Sequence, residues 1–214
     1  MKQMVGIIGV GVAPVTTIKY MKQIIRASTI PRNQEQIPLC IWNNPQLLTD
    51  SANLINSAKQ LEQTNCKFIT MPCNTSHYWA DEIQQAINIP FVNMIDETLM
   101  QINNNNYKSL TLLSTKDTIH SNIYEKSADK YGIKVNYPNT EDCNTVSNVI
   151  NTIKSDNYYP MWSTYKLYGV MNNINSDCTV LGSTELSNLP FIYNRIFDPL
   201  QILTKKTIDL WTTL

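Results

Sequence analysis

Cys73 is the residue of this sequence best placed to do chemistry. It follows the apolar pair 68–69 in the segment KFITMPCNTSH (67–77), and a helical pattern extends after it to Ile87. We therefore predict a buried strand that passes into a helix at Cys73. Such a turn exposes backbone N–H groups and the positive end of a helix dipole, which attract a carboxylate and favour a thiolate. The polar residues that could cap this helix are Asn74, Thr75 and Ser76.

A second turn of similar pattern lies in the other half of the chain. The apolar run 178–181 (CTVL) leads into Gly182, Ser183, Thr184 and Glu185, so the PCNT of the first turn is echoed by GSTE. Residues 73 and 183 are 110 positions apart (183 minus 73), close to half of the 214-residue chain. This spacing predicts two similar α/β halves whose equivalent turns face each other across a cleft.

The elements that must position these turns follow from the apolar patterns. Strands are predicted at residues 5–10, 37–42, 89–92, 110–113, 133–135 and 178–181, and a turn at 43–45. Helices are predicted at 51–64, 78–87, 121–131 and 142–159, with another that begins at 96–97. The glycines near the first strand, Gly6, Gly9 and Gly11, do not have the GxGxxG spacing, which disfavours a dinucleotide site.

Several segments resemble the cofactor-independent aspartate/glutamate racemase family. MPCNTSH and LGSTEL resemble its two signature segments, each of which normally carries one catalytic cysteine; here the second carries Ser183. Residues 110–135 are similar to the strand and Thr-x-x-Thr turn that open the second half of that family, and IFDPLQILTKKTIDLW (196–211) is similar to its closing segment. The resemblance therefore covers nearly the whole chain.

The resemblance implies a fold and a domain division. The expected fold is α/β, with two pseudo-symmetric Rossmann-like halves, each a mainly parallel sheet flanked by helices, and the active site in the cleft between them. The polar run 103–106 (NNNN) is the predicted boundary between the halves. We predict a first domain of residues 1–103 plus 205–214 and a second domain of residues 104–204.

The resemblance also implies an amino-acid racemase that works without cofactor or metal. One group removes the Cα proton and another returns a proton on the opposite face, and thiols suit both tasks because their reference pKa is about 8.5. The expected catalytic positions are Cys73 and Ser183, although an alcohol is too weak an acid to replace a thiol. The expected substrate-binding residues are Asn74, Thr75, Thr115, Thr118, Lys154, Thr184 and Glu185.

Three departures from the family pattern bear on activity. The usual GGMGP turn is VGVAP (10–14), Asp50 stands near the position of a carboxylate-binding arginine, and Ser183 replaces a cysteine. Without the two parallel hydrogen bonds that an arginine guanidinium gives a carboxylate, aspartate or glutamate should bind weakly. Ser183 is either an engineered change or a natural loss. The alternatives to a racemase are a catalytically reduced protein that binds an amino acid or carboxylate, and a one-base isomerase or lyase.

Some of these residues also have purely structural interpretations. Cys73 could be a buried thiol. His77 could tune the Cys73 thiolate, but His77 and His120 are each more typical of structural hydrogen-bonding residues. Lys154 could be a solvated helix lysine, and Glu185 could cap or orient the second turn. The aromatic residues of 158–170 suit either the core or a dimer contact.

Composition narrows the class of partner and the compartment. The formal net charge is zero and only 16% of residues are charged, which disfavours nucleic acid and membrane surfaces and favours a small amino acid or carboxylate. An odd number of cysteines, five, without metal-ligand spacing favours a reducing compartment. No apolar run approaches the ~20 residues needed to cross a bilayer. We predict a cytoplasmic homodimer.

Overall fold

Parallel strands form two four-stranded sheets in the described part of the chain. The computed structural model describes residues 3–10, 15–28, 36–44, 51–156, 161–190 and 195–214. The strands are β1 (Met4–Val10), β2 (Leu39–Asn44), β3 (Cys66–Thr70), β4 (Phe91–Val92), β5 (Ser109–Leu113), β6 (Lys134–Asn136), β7 (Cys178–Leu181) and β8 (Ile196–Phe197). The strand orders are β2-β1-β3-β4 and β6-β5-β7-β8, and all these pairings are parallel.

Helices follow most of the strands. They are α1 (Val15–Ser28), α2 (Ser51–Gln63), α3 (Ala80–Gln85), α4 (Met94–Asn104), α5 (Lys116–His120), α6 (Ile123–Ala128), α7 (Thr140–Asp156), α8 (Met161–Asn172) and α9 (Pro199–Thr212). Short 3-10 helices occur at Thr75–Trp79, Asp129–Tyr131 and Leu186–Asn188. The predicted fold class, an α/β protein with parallel sheets flanked by helices, is confirmed.

The first sheet is covered on both faces because its central strand is apolar on both sides. In β1, Val5 and Ile7 pack with residues of α1 and α9, whereas Ile8 and Val10 pack with residues of α2 and α3. Successive side chains of a strand point to opposite faces, so this apolar run fits a strand buried from both sides. Tyr20 of α1 hydrogen-bonds the hydroxyl of Thr207 at 2.6 Å, which ties α1 to α9.

The second sheet repeats this plan. Leu113 at the end of β5 and Leu181 at the end of β7 pack with apolar residues of α7 and α8. The amino ends of the same two strands are joined by Asp177, whose carboxylate accepts hydrogen bonds of 2.8 Å from the backbone N–H groups of Lys108 and Ser109. These bonds hold the pKa of the Asp177 carboxyl below its usual range.

The strand order gives each sheet a point at which the course of the chain reverses. The chain passes from β1 to β2 on one side and then crosses to β3 on the other side of β1, and β5, β6 and β7 follow the same course. Ligands of open α/β sheets bind beyond the carboxyl ends of strands at such a reversal. Cys73 follows β3 and Ser183 follows β7, so each lies at the reversal point of its own sheet.

The chain divides into two compact units. One consists of Met1–Glu97 with Leu200–Leu214, and the other of Thr98–Pro199. The helix α9 therefore returns to the unit that contains the first sheet. The domain boundaries given above, at 103/104 and 204/205, stay predictions.

Several predicted elements differ from the structure. The helix predicted at 121–131 begins later, at Ile123, because Asn122 has a left-handed backbone (φ 52), and residues 129–131 form a 3-10 helix. Asn43 and Asn44, predicted as a turn, are the last residues of β2. The helix predicted at 142–159 begins earlier, at Thr140, and its last described residue is Asp156. The strand β8 was not predicted. Asp50 and residues 11–14 of the VGVAP turn lie outside the described residues.

No helix within the ranges given above combines the length and the apolar character that a membrane span requires.

Candidate active site

Cys73 lies in a tight turn between β3 and a 3-10 helix. Its backbone N–H donates to the carbonyl of Met71 at 2.9 Å, and the N–H of His77 donates to the carbonyl of Asn74 at 3.0 Å. The capping role predicted for Asn74 is wrong, because its backbone is already helical (φ −61, ψ −57) and its side chain makes no capping hydrogen bond. Thr75 and Ser76 lie within the 3-10 helix instead.

The thiol of Cys73 has a hydroxyl as its neighbour. Its Sγ lies 3.2 Å from Oγ of Ser76, which is fully buried, whereas Cys73 itself is only half-buried. A thiolate can only accept, so in that state Ser76 donates its hydrogen to Sγ. Burial raises the pKa of the thiols of Cys66, Cys143 and Cys178, that of Cys178 to about 12. These three thiols are therefore poor nucleophiles at neutral pH.

We predict that Ser76→Ala slows alkylation of Cys73 by iodoacetamide at pH 7 about tenfold. A hydrogen bond to a charged group contributes roughly 1.5–3 kcal/mol, and its loss disfavours the thiolate that reacts. The rate is measured by peptide mapping over time. Ser57→Ala is the matched control, since it removes another buried hydroxyl, one that donates to the carbonyl of Asn53. An unchanged rate in Ser76→Ala would show that Ser76 does not stabilise the thiolate.

His77 is a structural residue of this turn. Its Nε2 accepts the backbone N–H of Met94 at 3.1 Å, so Nδ1 carries the hydrogen and donates to the carbonyl of Cys73 at 2.6 Å. Burial lowers the pKa of His77 to about 4, so the ring is neutral at physiological pH. The interpretation of His77 as a structural hydrogen-bonding residue is thus favoured over a charged partner of the thiolate. It ties the Cys73 turn to the start of α4.

This neutral, buried His77 predicts a loss of stability in mild acid. Between its usual pKa of 6.5 and about 4, the unfolded state binds a proton that the folded state resists, so the free energy of unfolding falls as pH decreases. The full loss is about 3 kcal/mol. Urea unfolding at pH 7, 6 and 5 follows the first part of this loss, which should reach about 2 kcal/mol at pH 5. The pH dependence should be shallower in His77→Gln and as steep as in the parent in His120→Gln, which changes an exposed histidine.

The second turn depends on a close approach of β5 and β7. Gly182 donates its N–H to the carbonyl of Leu113 at 2.8 Å, and the hydroxyl of Ser114 donates back to the carbonyl of Gly182. A Cβ at residue 182 would lie 2.5 Å from Cδ1 of Leu112 and 3.0 Å from the Ser114 side chain, so a larger residue there would force these side chains to shift. The carbonyl of Ser183 then accepts the N–H of Leu186 at 3.0 Å and begins another 3-10 turn. The local plan therefore matches that of the Cys73 turn.

Three of the predicted site residues meet at this second turn. The hydroxyl of buried Ser183 donates to Oε2 of Glu185 at 2.6 Å. The other carboxylate oxygen, Oε1, lies 3.7 Å from Nζ of Lys154. The side chains of Glu185 and Lys154 are 19% and 50% exposed. A serine hydroxyl, a carboxylate and a cation are thus aligned at the carboxyl end of β7.

The Thr-x-x-Thr turn is a helix cap. Oγ1 of Thr115 accepts the N–H of Thr118 at 3.3 Å at the start of α5, and the two hydroxyls lie 3.1 Å apart. Thr118 is buried and Thr115 is half-buried, so Thr115 is the more accessible of the two. Of the other predicted binding residues, Asn74 is buried, and Thr75 and Thr184 are half-buried.

The sequence alone did not reveal the contacts of two hydroxyls, those of Ser76 and Ser114. Ser76 was considered only as a cap, although it lies three residues after Cys73, a spacing that brings side chains together in a helical turn. The bond from Ser114 to Gly182 depends on the pairing of β5 with β7, which the local sequence pattern does not reveal. Among the described residues, no group of three or more His, Cys, Asp or Glu is arranged to hold a metal ion.

Comparison with known proteins gives the family. A family model described as Asp/Glu/Hydantoin racemase matches residues 7–206. The broad specificity amino-acid racemase RacX of Bacillus subtilis (strain 168) is 31% identical over 165 residues, which cover 74% of this chain and 70% of RacX.

Solved structures agree with this match. The aspartate racemase of Picrophilus torridus superposes with a TM-score of 0.81 at 25% identity and covers 98% of this chain and 94% of its own. PH1733, an aspartate racemase homologue from Pyrococcus horikoshii OT3, gives a TM-score of 0.80 at 26% identity over 99% and 100% of the two chains. The strand order, the paired turns and these similarities together show that the chain belongs to the Asp/Glu/hydantoin racemase family.

Proposed function

We propose that the protein is a cofactor-independent amino-acid racemase that uses Cys73 to remove and return the Cα proton. The observation that carries this proposal is the half-buried Cys73 thiol beside the Ser76 hydroxyl, at the carboxyl end of β3. Its relatives are named as racemases of amino acids, which supports the same class of substrate here.

The chemistry is a proton transfer in each direction. The Cys73 thiolate takes the Cα proton, so that a C–H bond breaks, an S–H bond forms and the electron pair passes into the substrate carboxylate. Return of a proton to the opposite face gives the other enantiomer. Hydrogen bonds from backbone and side-chain donors would stabilise the charge that develops on the carboxylate. The residues proposed for this binding are Asn74, Thr75, Thr115, Thr118, Lys154 and Thr184. Glu185, whose carboxylate can only accept, is proposed to contribute to the site through Ser183 and Lys154.

We propose further that Ser183 occupies the second catalytic position and lowers the rate. An alcohol is a much weaker acid than a thiol, so a serine by itself cannot supply a base at neutral pH. The serine at position 183 also supports a second candidate function. The protein would then be either a catalytically reduced protein that binds an amino acid or carboxylate, or a one-base isomerase or lyase. In all of these, Cys73 and the binding residues keep their places.

Incubation in D2O separates the candidates. Each enantiomer of aspartate, glutamate and a panel of neutral amino acids is incubated with the protein, and Cα deuterium is followed by NMR and chirality by chromatography. A racemase labels and interconverts both enantiomers, a one-base enzyme labels one, and a binding protein labels neither while its melting temperature rises with ligand. Failure to label any amino acid would contradict the racemase proposal.

We also propose that the protein is a cytoplasmic homodimer. The helix α8 exposes three large apolar side chains, Met161 (74%), Trp162 (43%) and Tyr165 (69%), which supports a contact surface there rather than the core position considered for the two aromatic residues. The five cysteines form no disulfide within the described residues, which supports a reducing compartment. Light scattering coupled to gel filtration measures the assembly, and a monomeric mass would contradict the dimer.

A further inference from the structure

Glu185 differs from a simple capping residue of the second turn. It directly precedes the 3-10 helix Leu186–Asn188, but its side chain makes no capping hydrogen bond. Its carboxylate is directed instead to the Ser183 hydroxyl, at 2.6 Å, and to Lys154, at 3.7 Å. A capping or purely local role therefore does not account for this arrangement.

We infer that Ser183 and Glu185 form a two-residue proton relay that serves as the second acid–base group of the racemase. This inference rests on the proposed function. Ser183 donates its only hydrogen to Oε2 of Glu185, so the lone pairs of its Oγ are available to another group. A hydroxyl paired with a base in this way is the general arrangement that activates serine.

The relay balances in both directions. When the substrate Cα–H bond breaks, a new O–H bond forms at Oγ of Ser183, and the original hydroxyl proton passes to Oε2 of Glu185. In the reverse direction, the protonated carboxyl of Glu185 returns its proton to Oγ as the hydroxyl proton passes to Cα. The alkoxide is never free, which removes the objection to serine as a base.

Lys154 is a positioning residue in this arrangement. Its Nζ lies on the Oε1 side of the carboxylate, so Oε2 remains directed to Ser183. Because the Lys154 side chain is half exposed, its ion pair is screened by water and contributes little to stability. Its expected effect is on the orientation of Glu185.

The test uses the full chain and the variants Glu185→Gln and Ser183→Cys/Glu185→Gln. Glutamine keeps the size and a hydrogen-bond acceptor but cannot take the proton. We expect Glu185→Gln to interconvert enantiomers at least ~100-fold more slowly than the parent, while one enantiomer still exchanges its Cα hydrogen through Cys73. In the double variant the thiol needs no relay, so interconversion should return.

The controls distinguish loss of the relay from loss of folding and from the general effect of removing a carboxylate. Glu141→Gln removes an exposed carboxylate from α7 and should match the parent, and thermal unfolding confirms that each variant is folded. Parental racemisation by Glu185→Gln, or no recovery in the double variant, would overturn the relay and leave the Cys73 proposal standing. If the parent labels neither enantiomer of any amino acid, both the relay and the proposed function are overturned.

Discussion

Replacing Cys73 by serine should slow interconversion of enantiomers by at least ~100-fold. General acid–base catalysis by a positioned group contributes about 10²–10⁴-fold, and an alcohol is too weak an acid to supply a base at neutral pH. The Cys73 sulfur lies 3.2 Å from Oγ of Ser76, which is not a base at neutral pH. The rate is measured by chiral chromatography with the amino acid that the parent racemises fastest.

The control for this experiment is Cys143→Ser. Cys143 is also half-buried, and its Sγ donates to the carbonyl of Pro138 at 3.2 Å, a bond that a hydroxyl can keep. The chemical change is the same and the location is different, so this variant should racemise like the parent. Equal racemisation by Cys73→Ser and the parent would remove Cys73 from the mechanism, whatever the role of the second turn.

The parts of the fold that depend on local pattern were predictable. The strands that precede Cys73 and Ser183 are short apolar runs, and runs covered on both faces are typical of parallel sheets. The echo of PCNT by GSTE indicated equivalent turns, and both follow the third strand of their sheet. The chain therefore reverses at the same place in two similar sheets, and Cys73 and Ser183 follow equivalent strands.

The details that depend on tertiary contacts were not predictable. The amide that His77 accepts belongs to Met94, 17 residues further along the chain, and the carboxylate near Lys154 belongs to Glu185. No periodic pattern records such pairs. Neither Asn74 nor Glu185 caps a helix with its side chain, because both residues have helical backbones, whereas a capping side chain needs an extended one.

The preference for a class of substrate should depend on the arginine that is missing near residue 50. The family pattern has an arginine near residue 50, where this sequence has Asp50 and Ser51. An aspartate there would repel a second carboxylate instead of binding it in a bidentate pair. We therefore expect neutral amino acids to be better substrates than aspartate and glutamate, for the parent and for its active variants.

Ser183→Cys should racemise at least ~10-fold faster than the parent. A thiol has a reference pKa near 8.5 and accepts the proton directly, whereas the serine of the parent needs a relay to do so. Serine and cysteine are similar in size, so the buried position beside Gly182 should accept the sulfur. Ser183→Ala is the matched control, because it removes the hydroxyl without adding a thiol, and it should lose interconversion.

The size of this increase in racemisation rate shows whether the rest of the site can still align a substrate. If the rest of the site still aligns a substrate, the restored thiol acts at once, since proton transfer requires only a group of suitable pKa in the right place. If the turn 10–14 and the region of Asp50 have diverged, the thiol meets a misplaced Cα, and misalignment of about 1 Å can cost 10²-fold. Chiral chromatography of the whole amino-acid panel measures the difference. Equal rates for the parent, Ser183→Cys and Ser183→Ala would show that the second proton is supplied neither by residue 183 nor by its relay with Glu185.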